Sequence, residues 1–99
     1  MRIYLILQRQ LEELFNSGKV KRITIKRLDA KQWFPLFEVS GAGEEIITCS
    51  LRVQASPDVR TWANLTLLAE WLLEKFEVEK CELILSEASP PSSIEEQEK

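Results

Sequence analysis

Five of the thirteen basic residues in this 99-residue sequence fall within nine positions, KVKRITIKR at 19–27. Cations at that density neutralise phosphates, so the run is a candidate nucleic-acid contact. Alternate residues of a strand share a face, so the cluster divides: Arg22 and Lys26 point one way, while Lys21 and Arg27 bracket Ile23 and Ile25. Only part of it can act as one patch.

Other chemistry has less to draw on. The chain contains no histidine, which removes Ser-His and Cys-His nucleophiles, an imidazole base and His-ligated metals. Cys49 and Cys81 lack CxxC spacing, and each sits in an apolar alternating run; two buried, reduced thiols are expected, with no zinc site. Glu12-Glu13 and Glu44-Glu45 are adjacent in sequence, and neighbours one position apart do not face each other. Gly41-Ala42-Gly43 opens no helix and lacks a following GK, so it reads as a turn. No catalytic, cofactor-binding or metal-binding residue is assigned.

The elements that position these side chains are set by hydrophobic period. Ile3, Tyr4, Leu7, Leu11, Leu14 and Phe15 recur at helical steps and lead to Asn16-Ser17-Gly18, where glycine can take the left-handed cap conformation. MRIYLIL alone also suits a strand, but no turn residue separates it from the helical part, so one helix is expected. Three strand-like runs come next: KVKRITIKRL, WFPLFEVS and EIITCSLRVQ, joined by short turns at Asp29 and Gly41. Pro35 donates no ladder hydrogen bond, which predicts a bulge or an open side there. A second helical pattern runs through Leu65, Leu68, Ala69, Leu72 and Phe76, with Asn64 as N-cap. KCELILSE reads as a last strand. The expected fold is a two-layer α+β domain over residues 1–86, in the order α-β-β-β-α-β, its antiparallel meander packed against two helices. Residues 87–99, EASPPSSIEEQEK, bring two adjacent prolines and four glutamates, a composition expected to form a disordered acidic tail.

Charge is uneven as well. Residues 1–60 hold ten basic and seven acidic side chains, whereas residues 61–99 hold three and nine, for a net charge of −3. An acidic rear weakens long-range attraction to a polyanion. The N-terminal apolar run is too short for a membrane span or a signal peptide, so a cytoplasmic address and no membrane partner are expected.

If Ile23, Ile25, Val39, Ile47, Cys49 and Leu51 point inward, alternation sends Arg22, Lys26, Phe34, Leu36 and Arg52 to an open sheet face, with Arg60 and Trp62 on the approach to the second helix. Arginine and aromatic side chains are the usual interface anchors. A protein partner or a second copy of the chain, as a homodimer, is the expected occupant. Nucleic acid held by Arg22, Lys26 and Arg52 is the alternative. The α-β-β-β-α-β order is shared with nucleases that carry PD…(D/E)xK, and a degenerate nuclease-like fold is a third reading. Here Asp58 lies off the strands and IITCSLRVQ carries no acid, so the metal ligands are missing. Double-stranded RNA-binding domains begin similarly, but the second helix lacks their lysine-rich start.

Arg60, Trp62, Asn64, Leu65 and Leu68, followed by LAEWLLEKFEVEKCELIL, give the second half a shape that resembles small accessory proteins of plasmids and integrative elements. The resemblance spans roughly residues 7–86 as a pattern of residue types. Where such proteins commonly carry glycine before the last strand, this chain has Glu77 and Val78. The resemblance implies a cytoplasmic, non-enzymatic protein of plasmid maintenance, partition, defence or counter-defence, and transfers no site residues.

Overall fold

A computed structural model describes residues 2–87. The elements are β1 (Ile3–Ile6), α1 (Gln8–Asn16), β2 (Val20–Asp29), β3 (Gln32–Ser40), β4 (Ile46–Leu51), α2 (Leu65–Phe76) and β5 (Glu82–Glu87). The fold is α+β, with both helices contributing to one core against the sheet. The acidic tail expected from residue 87 lies, apart from Glu87 at the end of β5, outside the described residues.

The centre of the sheet is the expected antiparallel meander, β2-β3-β4. Lys31 donates its backbone N–H to Asp29 Oδ1 at 2.8 Å in the first turn, and Gly43 adopts φ +64° in the second. The whole sheet is larger and mixed, in the order β1-β4-β3-β2-β5. β1 lies parallel to β4, with Ile3 opposite Thr48 and Ile6 opposite Leu51. β5 lies parallel to β2, with Thr24 opposite Glu82 and Lys26 opposite Ile84. A simple meander is therefore corrected at both edges.

The single N-terminal helix is corrected too. Ile3–Ile6 is a strand, and Leu7, with extended backbone (φ −82°, ψ 158°), is the only joint before α1. No glycine or proline is needed, because one extended residue already turns the chain. Gln10 Oε1 accepts the Leu7 N–H at 2.8 Å. At its far end α1 closes as the sequence predicts, with Gly18 in the left-handed region at φ +72°. Asn64 likewise caps α2, its Oδ1 accepting the Leu67 N–H at 2.9 Å.

Leu11, Leu68 and Leu72 of the helices pack with Ile25, Phe37, Val39, Cys49 and Leu51 of the sheet. Phe15 joins the helices by stacking on Phe76, with ring centroids 4.3 Å apart. The other sheet face has no helix over it, yet Phe34 and Leu36 are 1% and 6% exposed. This corrects the expectation that both stand open. They occupy the middle strand of five, where the directly opposite Lys26 and Thr24 on β2 can close over them.

Pro35 opens the ladder as expected. Pairing of β3 with β4 runs from Ser40–Ile46 only as far as Phe37–Cys49. Beyond it the buried Ser50 Oγ donates to the Pro35 carbonyl at 2.6 Å. Residues 59–62 enter the gap: Arg60 N–H donates to Leu51 O at 2.7 Å, and Trp33 and Trp62 exchange backbone hydrogen bonds at 2.9 and 2.8 Å. A proline that cannot pair thus makes room for a segment that can. Among the described residues no helix is long and apolar enough to cross a membrane.

Candidate functional site

The structure distributes the sequence-predicted residues over three places. Arg22 reaches across to β5, its Nη2 2.8 Å from Glu82 Oε2, with both side chains more than half exposed. An exposed pair of this kind adds little stability. Lys26 is half-buried opposite Phe34. Phe34 and Leu36, being buried, offer no contact surface. The open face does not assemble as a patch of aromatic, aliphatic and cationic groups.

Arg52 and Arg60 do come together, at the other end of the sheet. They line a cleft of about 540 Å³ between the start of α1 and the end of β4, with Leu7, Gln8, Arg9, Glu12, Val53 and Gln54. The segment wedged beside Pro35 carries Arg60 there. Its guanidinium carbon lies 4.4 Å from the Trp62 ring centroid and 5.3 Å from that of Trp71, and the two indoles are 4.9 Å apart. Arg60 Nη1 donates to Gln8 Oε1 at 3.2 Å. The Arg60 guanidinium is thereby held against aromatic faces, an arrangement that favours a partly desolvated cation. Partial burial still lowers its pKa from the usual arginine range, though it stays protonated at neutral pH.

Trp62, expected on the approach to the second helix, is half-buried in this aromatic layer. Arg52 Nη1 donates to the Ser56 carbonyl at 3.4 Å, in the turn where Ser56 Oγ also bonds Asp58. A single helix running from Ile3 to Phe15 gives Arg9 no relation to the sheet. Once the helix starts at Gln8, Arg9 sits in its first turn, at the carboxyl ends of the parallel pair β1 and β4. The signal that could have found it is the apolar run Ile3–Ile6 read as a strand.

The opposite edge of the sheet has a different character. Leu83 and Leu85 of β5 are 45% and 57% exposed, and Leu73 on the neighbouring α2 is 52% exposed. Leu83 pairs with the core residue Ile25, so it lies on the helix-facing side but beyond the cover of the helices. A groove of about 330 Å³ runs alongside, lined by Ile25, Leu72, Leu73, Val78 and Cys81 among others. Cys81, expected to be buried, is exposed, because it leads into β5 at the sheet edge, where the strand residues themselves stand open. Cys49 is buried as expected. Burial pushes the Cys49 thiol up from its ordinary value, and partial desolvation beside the groove moves the Cys81 thiol in the same direction.

The fold and these two surfaces define a small mixed-sheet α+β domain with a cationic cleft at one edge and an apolar strand at the other. The chain matches no family model, no curated protein and no solved structure.

Proposed function

We propose that this is a non-catalytic interaction protein of the cytoplasm, and that it acts as a homodimer formed through the outer edge of β5. The observation that carries the reading is the exposed apolar run Leu83, Ile84 and Leu85 on a terminal strand of the sheet. An edge strand presents unpaired backbone groups, and natural edges are usually blunted by charge, proline or a covering element. Glu82 and Glu87 charge the two ends of β5 and its register with β2 shifts after Ile84, but leucine and isoleucine fill its centre.

The occupant is a second copy because the strand is self-complementary. Two β5 strands paired antiparallel about Ile84 set Leu83 of each copy opposite Leu85 of the other. Such a two-fold contact uses the same patch twice and closes on itself. The interface proposed from the sequence thus moves from the buried Phe34 and Leu36 to the edge strand. The nucleic-acid alternative draws on Arg22, Lys26 and Arg52, of which Arg22 pairs with Glu82 and Arg52 lies in the cleft at the other end of the sheet. The setting that accompanies the proposal is mobile-element maintenance, defence or counter-defence.

Sedimentation velocity over a concentration series tests it. The wild-type chain should show a concentration-dependent dimer, and a Leu83→Lys/Leu85→Lys variant with an unchanged circular dichroism spectrum should stay monomeric. A wild-type monomer at every concentration, or a dimer indifferent to the double substitution, overturns the proposal.

A further inference from the structure

We propose that the cleft formed by Arg9, Arg52 and Arg60 binds a small molecule bearing a phosphate dianion. Three arginines line one concavity with one acidic residue, Glu12, so its lining carries a formal net charge of about +2, the amount a phosphate dianion cancels. Glu12 is engaged from within, its Oε2 accepting from Gln8 Nε2 at 3.0 Å. Among the described residues none of the three arginines forms an ion pair with a carboxylate, in contrast to Arg22 with Glu82.

Arg60 makes the argument specific. It is half-buried, pinned by Trp62, Trp71 and Gln8, and faces a cleft instead of a protein counter-charge. Aromatic faces and one amide oxygen stabilise this cation without neutralising it, so it still gains a charge-assisted partner when an anion arrives. Guanidinium groups offer paired, planar N–H donors that match phosphate oxygens, and pre-fixing the group reduces the entropy lost on binding. The cleft's size falls within the usual range for small-molecule sites, about 300–1,000 Å³. Leu7 supplies no side-chain acceptor to the first turn of α1, whose Gln8 and Arg9 belong to the same wall. The site is at the β1–β4 side of the sheet, remote in strand order from β5, so it stands independently of the dimer.

Indole fluorescence provides the readout, because Trp62 and Trp71 hold Arg60. The probes are inorganic phosphate and pyrophosphate, with a single-stranded DNA oligonucleotide as the polymer control, titrated into the full chain at constant ionic strength with chloride as the balancing anion. A saturable change in emission is expected for the probes and not for chloride. Arg52→Gln and Arg9→Gln should each weaken binding about tenfold or more, while Arg22→Gln, outside the cleft, leaves it unaltered. Arg9 is exposed, so its variant remains informative should Arg52→Gln impair folding. Saturating pyrophosphate should also raise the melting temperature of the wild-type chain and not that of the Arg9→Gln/Arg52→Gln double variant. Absence of a saturable response to either probe, an equal response to chloride, or equal affinity in the Arg9 and Arg22 variants overturns the proposal. So does a response seen only with single-stranded DNA, which would assign the cleft to a polymer.

Discussion

Glu77 closes α2 in the left-handed region, at φ 60° and ψ 34°, and is the only non-glycine residue with positive φ among the described residues. Its backbone N–H donates to Leu73 O at 2.9 Å and the Val78 N–H to Leu72 O at 3.3 Å, so the conformation is fixed by the end of the helix. A residue with a Cβ loses about 1–2 kcal/mol there. Glycine removes that strain but gives up about 0.4–1 kcal/mol through the greater freedom of its unfolded chain. A carboxylate beside the negative end of a helix adds a small further penalty, which glycine also relieves. Glu77→Gly should therefore stabilise the protein by about 1 kcal/mol, a rise in melting temperature of about 4–8 °C for a domain of this size. Thermal unfolding followed by circular dichroism measures it, with Glu77→Gln and Glu77→Ala as controls. Glutamine relieves only the charge and alanine keeps the Cβ, so both should move the midpoint far less. If alanine matches glycine, or glycine lowers the midpoint, backbone strain at residue 77 is not the cause.

Two further outcomes arise from the packing. Ser50→Ala removes the buried hydroxyl that satisfies the Pro35 carbonyl and should cost about 1–3 kcal/mol in urea unfolding; a neutral result would mean that another group reaches that carbonyl. The thiols should separate in a disulfide-exchange assay at neutral pH, Cys81 reacting in the folded chain and Cys49 only on unfolding. Because the folded thiols titrate above their ordinary value, stability is level below the unfolded thiol pKa and falls as pH rises from there through the folded one. Cys49→Ala should flatten the part of that alkaline decline that Cys49 contributes.

What the sequence conveyed well is local. Gly18, Asp29 and Asn64 act on backbone groups within a few residues of themselves, and each does in the structure what its type suggests. Ile3–Ile6 misled because a continuous apolar run satisfies both periods, and its strand character depends on pairing with Thr48–Leu51, far along the chain. Alternation placed Phe34 and Leu36 on the sheet side away from the helices but carried no information on what closes over that side. The cationic cleft was only half legible for the same reason. Arg52 and Arg60 stood out as types, whereas Arg9 joins them through the parallel β1–β4 contact and the opening beside Pro35, neither of which leaves a short-range trace.

The mixed sheet has a consequence for the order in which the chain assembles. Its middle three strands are joined by tight turns and can zip up from neighbouring residues, whereas Ile3 must find Thr48 and Thr24 must find Glu82 across roughly 45 and 58 positions. Closing such long loops carries an entropic toll that short turns avoid. Both flanking strands are therefore expected to join a hairpin nucleus late, an order that φ-value analysis would check. The cleft beside β1 and the apolar border at β5 consequently come into being only when the domain is nearly complete, and neither can capture a ligand or a second copy from a half-formed chain.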